Sequence, residues 1–282
     1  MNFFLLYRIR IFVFYLLSVT FLFCKVPSQG RETIQSLVSP SEKGEIHFLS
    51  NECKNKKKVL VLIHGSPGSS LDFESYLKDE DLQNQFCILL PDRLGYGGSW
   101  NQTSVPNLIL QGRAIHSALI RYLEKERFRF NEGIVVGHSY GGPVALRIAM
   151  EKNNTYSFVW KSILLSAPID PDLEELHWYN QIANLVWVQW ILPDSWIHSN
   201  EEMYTLKTDL IELTKAFENS SLEILSVHGD EDQLVSVKNV YYFTKWKPSI
   251  KHRIQILKGE NHFIPWTNFK EIKEIILAEG SK

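Results

Sequence analysis

Cysteine is scarce in this chain, 3 residues in 282, and no two stand at the short spacings of a metal knuckle or redox pair. That argues against a disulfide scaffold and against a zinc site. Cys87 lies in an apolar run and reads as a small buried hydrophobe. Net charge is nearly absent as well. The 30 basic and 32 acidic residues leave a formal charge of −2, so neither a nucleic-acid surface nor a strongly acidic partner is implied. No segment repeats at a solenoid period. Nor do the glycine-rich stretches hold a Walker lysine or the full dinucleotide spacing, which disfavours a phosphate-binding role. What is present is hydrophobic residues, 44% of the chain, enough over this length for one large α/β domain.

The first thirty residues form a separate segment. Arg8 and Arg10 precede the apolar run Ile11 to Cys24, Lys25 closes it, and no acidic residue occurs before Glu32. This is the outline of an export signal. The run falls short of the ~20 apolar residues of a spanning helix, although Phe3 to Tyr7 could lengthen it into an uncleaved anchor. Val26-Pro27-Ser28 offers a cleavage site, and Leu22-Phe23-Cys24 loosely resembles a lipoprotein signal with a bulky Phe23. A cleaved signal ranks first, a retained anchor within residues 1–28 second, and a lipidated Cys24 third. Each predicts an exported or membrane-anchored protein whose folded part begins near Glu32.

The chain is organised around Gly133 to Met150. Ile134, Val135 and Val136 make a short apolar run bounded by glycines, which suits a strand buried on both faces. After Ser139 the period changes: Val144, Ala145, Ile148 and Ala149 recur at helical spacing, with Pro143 near the helix start. Ser139 therefore sits on a strand-to-helix turn, in Gly137-His138-Ser139-Tyr140-Gly141. A reversal this tight leaves no room for side chains two positions either side of the serine. Such a nucleophile elbow lifts the hydroxyl above the sheet, with helix N-terminal N–H groups ready for a developing anion.

Other strands lead into loops of the same kind. Glu45 to Leu49 alternates as an edge strand, and the basic run Lys54 to Lys58 reads as a solvated turn. Val59 to Ile63 is a buried strand ending at His64-Gly65-Ser66-Pro67-Gly68-Ser69, a tight loop that leaves the Ser66 N–H free for a ligand. Leu71 to Leu82 follows as a helix. Phe86 to Leu90 is the next strand, leading into Asp92 to Ser99, where Asp92 is expected to brace loops by accepting backbone hydrogen bonds. Pro106 to Glu126 is an amphipathic helix burying Ile115, Ala118, Leu119, Tyr122 and Leu123. Beyond the strand Ser162 to Leu165, the alternation stops. From Ile169 to about Ser199, Trp178, Trp187, Trp190 and Trp196 crowd among aliphatic residues, which reads as a helical lid whose tryptophans either pack it onto the body or line a pocket. Ser199 and Glu202 have the form of a capping box before a helix through Phe217. Leu222 to Val227 and His252 to Leu257 are the last strands, and a helix from Asn268 to Leu277, capped by Thr267, closes the chain.

Strands alternating with helices predict an α/β fold with a mostly parallel sheet, whose ligands bind at the C-terminal strand ends. From about His47 onward the sequence resembles the α/β-hydrolase fold enzymes. The resemblance is carried by His64 to Gly68, Asp92 to Ser99, Gly137 to Gly142, Gly229 to Asp232 and the Gly259 to His262 turn. It implies a core over 32–168 and 200–282, with a helical lid at 169–199. It also implies Ser139 as nucleophile, Asp232 as acid and His262 as base, in the chain order of that family. The backbone N–H groups of Ser66 and Tyr140 become the oxyanion donors, while His64, Gly65, Gly68, Asp92, Gly137, His138 and Gly141 support the loops. Asp230 becomes a turn residue, Asp170 or Asp172 a displaced alternative for the acid, and His252, which starts a strand, points away from the site.

The function so implied is hydrolysis of a small or medium, largely apolar ester-like molecule, without metal or organic cofactor. A serine at the elbow counts against epoxide hydrolases and haloalkane dehalogenases. Thioesters, lactones, N-terminal proline amides, carbon–carbon cleavage and cofactor-free peroxidation stay open. So do a membrane-surface lipase and an exported binding protein that kept the fold without turnover. The expected partner is a small-molecule substrate, with no nucleic acid, and membrane contact would run through the leader.

Overall fold

The computed structural model describes residues 34–100, 103–151, 160–245 and 250–281. The chain divides into Met1–Glu32 and Thr33–Lys282. The export, anchor and Cys24 expectations therefore lie outside the described residues. Among the described residues no helix is long and apolar enough to cross a membrane.

Eight strands, β1 (Gln35–Pro40), β2 (Glu45–Ser50), β3 (Lys58–Ile63), β4 (Phe86–Pro91), β5 (Glu132–His138), β6 (Trp160–Leu165), β7 (Leu222–Gly229) and β8 (Ile250–Leu257), form one sheet. Their spatial order is β1-β2-β4-β3-β5-β6-β7-β8. The pairs β1–β2 and β2–β4 are antiparallel and the rest parallel. Around it run α1 (Glu74–Leu77), α2 (Glu80–Gln85), α3 (Leu108–Lys125), α4 (Gly141–Met150), α5 (Trp178–Ala183), α6 (Val186–Gln189), α7 (Asp194–Lys215), α8 (Ile264–Thr267) and α9 (Phe269–Glu279).

Alternation along the central strands divides the core into two layers. Val59, Val61 and Ile63 of β3 pack with Ile115 and Leu119 of α3, Val144 and Ile148 of α4, and Leu206 and Leu210 of α7. Leu60 and Leu62 pack on the other face with Phe73, Tyr76 of α1, and Ile272 and Ile276 of α9. Helices thus cover both faces, so the inner strands are continuous apolar runs, and each fully buried aliphatic side chain contributes roughly 1.5–3 kcal/mol.

Several local expectations are corrected. The edge of the sheet is β1, not β2: its QSLVSP sequence has too few apolar residues to announce a strand, and Ser39 holds it by donating to the Ala118 carbonyl at 2.8 Å. The helix expected over 71–82 is broken, because Asp79 adopts extended backbone and its carboxylate caps α2 by accepting from the Leu82 N–H at 3.1 Å. Ser199 and Glu202 are no capping box, since α7 starts at Asp194 after Pro193 and both lie in its interior. Thr267 ends α8 instead of capping the last helix, whose N-cap is Asn268.

The cysteine expectation is overturned too. Cys53 and Cys87 form a disulfide across a separation of 34 residues. Asn51 explains their meeting: its side chain donates to the Phe86 carbonyl at 3.0 Å and accepts from the Ile88 N–H at 2.8 Å, laying the segment after β2 along β4. Spacing could not reveal a pair made by tertiary pairing. Closing a loop of 34 residues stabilises by about 3–4 kcal/mol in the chain-entropy account. Cys53→Ala/Cys87→Ala is therefore expected to lower the urea midpoint by that equivalent, and coincident unfolding curves for variant and wild type would refute it.

Candidate active site

Ser139 occupies the turn between β5 and α4 with φ +52°, in the left-handed region that side-chain-bearing residues rarely adopt. The surrounding glycines make the turn possible. A Cβ on Gly137 would fall 2.1 Å from the Gly141 carbonyl oxygen, and one on Gly141 would fall 2.4 Å from that of Ile63. The turn is fixed from both sides, with the Ser139 N–H donating to Leu165 at 2.9 Å and the Gly142 N–H donating to Ser139 at 2.8 Å. The Ser139 side chain is partly exposed.

Asp232 and His262 are brought together by the ends of β7 and β8. A Cβ on Gly229 would meet the Glu260 carbonyl oxygen at 2.2 Å, so the two turns touch. Asp230 joins them by accepting from the Gly259 N–H at 2.6 Å. Asp232 Oδ2 accepts from His262 Nδ1 at 2.8 Å and lies 3.1 Å from His228 Nε2, while Oδ1 accepts from the Leu234 and Val235 N–H groups at 2.9 Å each. Burial alone would raise the pKa of this carboxyl, but the hydrogen bonds from His228, His262 and Val235 outweigh it and hold the pKa below the ordinary range. With Nδ1–H donated to Asp232, His262 keeps Nε2 as a free acceptor.

His138 ties this pair to the elbow. Its Nε2–H donates to the His262 carbonyl at 3.0 Å, and the two rings lie 4.8 Å apart. Burial, reinforced by His262, lowers its pKa to about 3, so the ring is a neutral donor. Trp266 covers its other side, edge to face at 4.9 Å.

The loop after β3 reaches the same place. A Cβ on Gly65 would meet the Ser139 Cβ at 3.1 Å, which puts the loop backbone against Ser139. His64 donates from Nδ1 to the Gly65 carbonyl at 2.9 Å and accepts the Arg93 N–H on Nε2 at 3.0 Å. Gly68 leaves room for His64, whose Nδ1 would be 2.8 Å from a Cβ there. Among the described residues, neither the Ser66 nor the Tyr140 N–H donates to another protein group.

Asp92 accepts from the N–H groups of Ser70 at 2.6 Å and Gly98 at 2.8 Å, and from His47 Nδ1 at 2.7 Å. Ser36 Oγ is 2.7 Å from the other ring nitrogen of His47, giving a second serine–histidine–aspartate chain. Ser36, however, stands within β1 and not at a strand-to-helix turn. Its contacts pin the edge strand to the loop after β4. Asp170 accepts from the Asp172 N–H, and His252 of β8 pairs with Ser226 of β7 at 3.0 Å.

The four tryptophans of the insertion between β6 and β7 are all exposed: Trp178, Trp187, Trp190 and Trp196, up to 80% for Trp190. The insertion is tied to α7 by Asn200, which joins Asn180 and Asn184 at 2.9 to 3.1 Å. Sequence reasoning missed His228, Arg93 and Glu202. His228 supports Asp232 from within β7. Arg93 and Glu202 form a bidentate pair beneath the Gly65 loop, both essentially fully buried. The form of a capping box concealed Glu202. Among the described residues, no cluster of three or more His, Cys, Asp or Glu side chains could hold a metal ion.

Comparisons with known proteins agree with this architecture. A family model for the alpha/beta hydrolase fold matches residues 58–186. No curated protein matches the sequence. Among solved structures, the peroxisomal α/β-hydrolase of Saccharomyces cerevisiae is 14% identical over 89% of each chain, with a TM-score of 0.66. An esterase from Exiguobacterium antarcticum is 17% identical over 88% of this chain and 100% of its own, TM-score 0.63. The 2-hydroxy-6-oxo-6-phenylhexa-2,4-dienoate hydrolase of a Rhodococcus strain is 16% identical over 89% and 100%, TM-score 0.63. On its sheet order and these likenesses, the chain has the α/β-hydrolase fold.

Proposed function

We propose that the protein is a serine hydrolase acting on a small or medium, largely apolar ester-like substrate. The observation that carries the reading is the Asp232–His262 pair, hydrogen-bonded at 2.8 Å and tied through the His262 carbonyl to His138, the residue before Ser139. His262 Nε2 takes the Ser139 proton as Oγ attacks the carbonyl carbon, and Asp232 steadies the imidazolium. The oxyanion is received by the Ser66 and Tyr140 N–H groups, each such donor being worth ~3–4 kcal/mol of barrier. The imidazolium then gives its proton to the departing alcohol. Water, deprotonated by the same nitrogen, releases the acid and restores Ser139.

Esterase and dienoate hydrolase share this fold, so bond type comes from the site and not from the fold. The aromatic insertion favours an apolar acyl or alcohol group and acts as the lid. Export through the leader is supported by the Cys53–Cys87 disulfide, a bond that persists in oxidising compartments.

The test is labelling with a fluorophosphonate probe and mass spectrometry of the modified peptide. The expected result is modification of Ser139, suppressed by substitution of Asp232 or His262. A folded protein unmodified at Ser139, with and without detergent, would instead point to a binding protein that kept the fold. The exposed tryptophans favour one variant of the reading, a lipase that works at lipid surfaces. A rate jump on adding lipid micelles supports it, and a flat response disposes of it.

A further inference from the structure

The loop expected to supply one oxyanion donor is held from below by a charged pair that the proposed reaction does not use. Arg93 follows Asp92 at the end of β4, and Glu202 comes from the middle of α7. Arg93 Nη1 donates to Glu202 Oε1 at 2.5 Å and Nη2 to Oε2 at 3.1 Å, with both side chains at most 1% exposed. Glu202 Oε2 also accepts from the Ser66 hydroxyl at 2.5 Å and from the Tyr96 hydroxyl at 3.0 Å. Arg93 Nη2 further donates to the Gly65 carbonyl at 2.8 Å. Its guanidinium carbon lies 4.6 Å from the centre of the Tyr96 ring and 4.7 Å from that of Tyr140.

These contacts converge on both expected oxyanion donors. The Gly65 carbonyl belongs to the peptide whose N–H is that of Ser66, so Arg93 holds the acceptor end of the donor's own peptide unit. Glu202 takes the Ser66 hydroxyl from the other side and so fixes the rotation of that residue. Tyr140, which carries the second N–H, lays its ring on the same guanidinium. One ion pair therefore touches the peptide, the side chain and the ring that together orient two N–H groups. We propose that Arg93 and Glu202 are positioning residues that set the aim of both oxyanion donors, an inference that rests on the reading of Ser66 and Tyr140 as those donors.

Stability alone gives a poor account of the pair. Apolar groups of equal volume in place of a buried ion pair are often neutral or stabilising, since desolvation offsets the attraction. Among the described residues, the site also leaves Arg93 Nε and the Tyr140 hydroxyl buried without a hydrogen-bond partner, a cost that a purely structural core would avoid. Burial alone would lower the pKa of Arg93, but Glu202 outweighs it and keeps the guanidinium charged. The docking has an address as well. One turn before Glu202 on α7, His198 Nδ1 lies 3.0 Å from the Gly95 carbonyl, and three residues after it Thr205 donates to the Pro106 carbonyl at 2.6 Å. The stripe of α7 that carries Glu202 is thus seated on the loop after β4, and the insertion leads directly into this helix.

The test uses the full chain with p-nitrophenyl acetate as substrate and phenylboronic acid as a mimic of the tetrahedral adduct. Ser66→Ala removes the hydroxyl link and keeps the backbone N–H. It is expected to lower kcat roughly tenfold to hundredfold, part of what a whole oxyanion donor is worth. KM should stay within twofold, boronate affinity should fall in step with kcat, and the thermal midpoint should hold. Glu202→Gln should lower kcat and boronate affinity likewise, with a lower thermal midpoint because the buried guanidinium loses its counter-charge. The double variant should lose little more kcat than the worse single one, because both act on one loop. Should Glu202→Gln fail to fold, Ser66→Ala decides alone. The proposal is overturned if wild type is labelled at Ser139 while Ser66→Ala keeps its kcat and boronate affinity, or loses activity only in step with stability. A wild type that is neither labelled nor active overturns the hydrolase reading first, and the proposal with it.

Discussion

Ser139→Ala is expected to lower kcat on a p-nitrophenyl ester by about a millionfold, leaving only the modest acceleration that binding and oxyanion donors supply without a nucleophile. The size follows from the unit of which Ser139 is part. In the proposed mechanism, without Oγ the His262 base has no proton to take and no covalent intermediate forms. The fold should not notice. Alanine meets the same backbone demand as serine at φ +52°, and the turn is held by backbone bonds to Leu165 and from Gly142 that the substitution leaves in place. A thermal midpoint near wild type with turnover gone is therefore the expected pair of measurements. Turnover within tenfold of wild type would remove Ser139 from the mechanism.

Asp232→Asn should cost about ten-thousandfold in kcat, by a different route. The carboxylate accepts at both oxygens, from His262, His228 and two backbone N–H groups. An amide has one accepting oxygen and one donating nitrogen. If the oxygen serves the Leu234 and Val235 N–H groups, the amide nitrogen faces His262 Nδ1 and drives the imidazole to the tautomer with its proton on Nε2, where it cannot accept from Ser139. Stability changes with pH as well. The folded pKa of Asp232 is depressed, so its contribution is complete above the ordinary carboxylate range of about 4 and is lost as pH falls below it. Wild type should thus lose its stability advantage over the asparagine variant on acidification below about pH 4, as read from urea midpoints. An advantage that grew on acidification would contradict the depressed pKa.

The sequence was most readable where glycine and proline punctuate the ends of buried strands. The loops beginning at His64, Asp92, Gly137, Gly229 and Gly259 all carry turn chemistry, and the parallel sheet carries them to one edge. Asp232 and His262 came from family likeness. The structure adds that their turns touch because Gly229 has no side chain to hold them apart. What stayed hidden was set by tertiary contact. The strand β1 is too polar to show a pattern, and the Cys53–Cys87 pairing depends on Asn51 reaching β4. Glu202 illustrates the limit best. Ser199 and Glu202 satisfy a local helix-start rule, yet the helix begins five residues earlier and Glu202 turns inward to a buried arginine that no local pattern could supply.

The position of the tryptophans has a spectroscopic consequence. Four of the eight indoles in the chain are exposed, Trp196 in the first turn of α7 and Trp178, Trp187 and Trp190 on or just after the two short helices of the insertion. Its emission should accordingly be shifted to the red and open to quenching by iodide. Anything that covers this face, whether substrate, lipid or a second protein, would turn the emission blue and shield it. The protein thus carries its own fluorescent reporter on the insertion proposed to act as the lid.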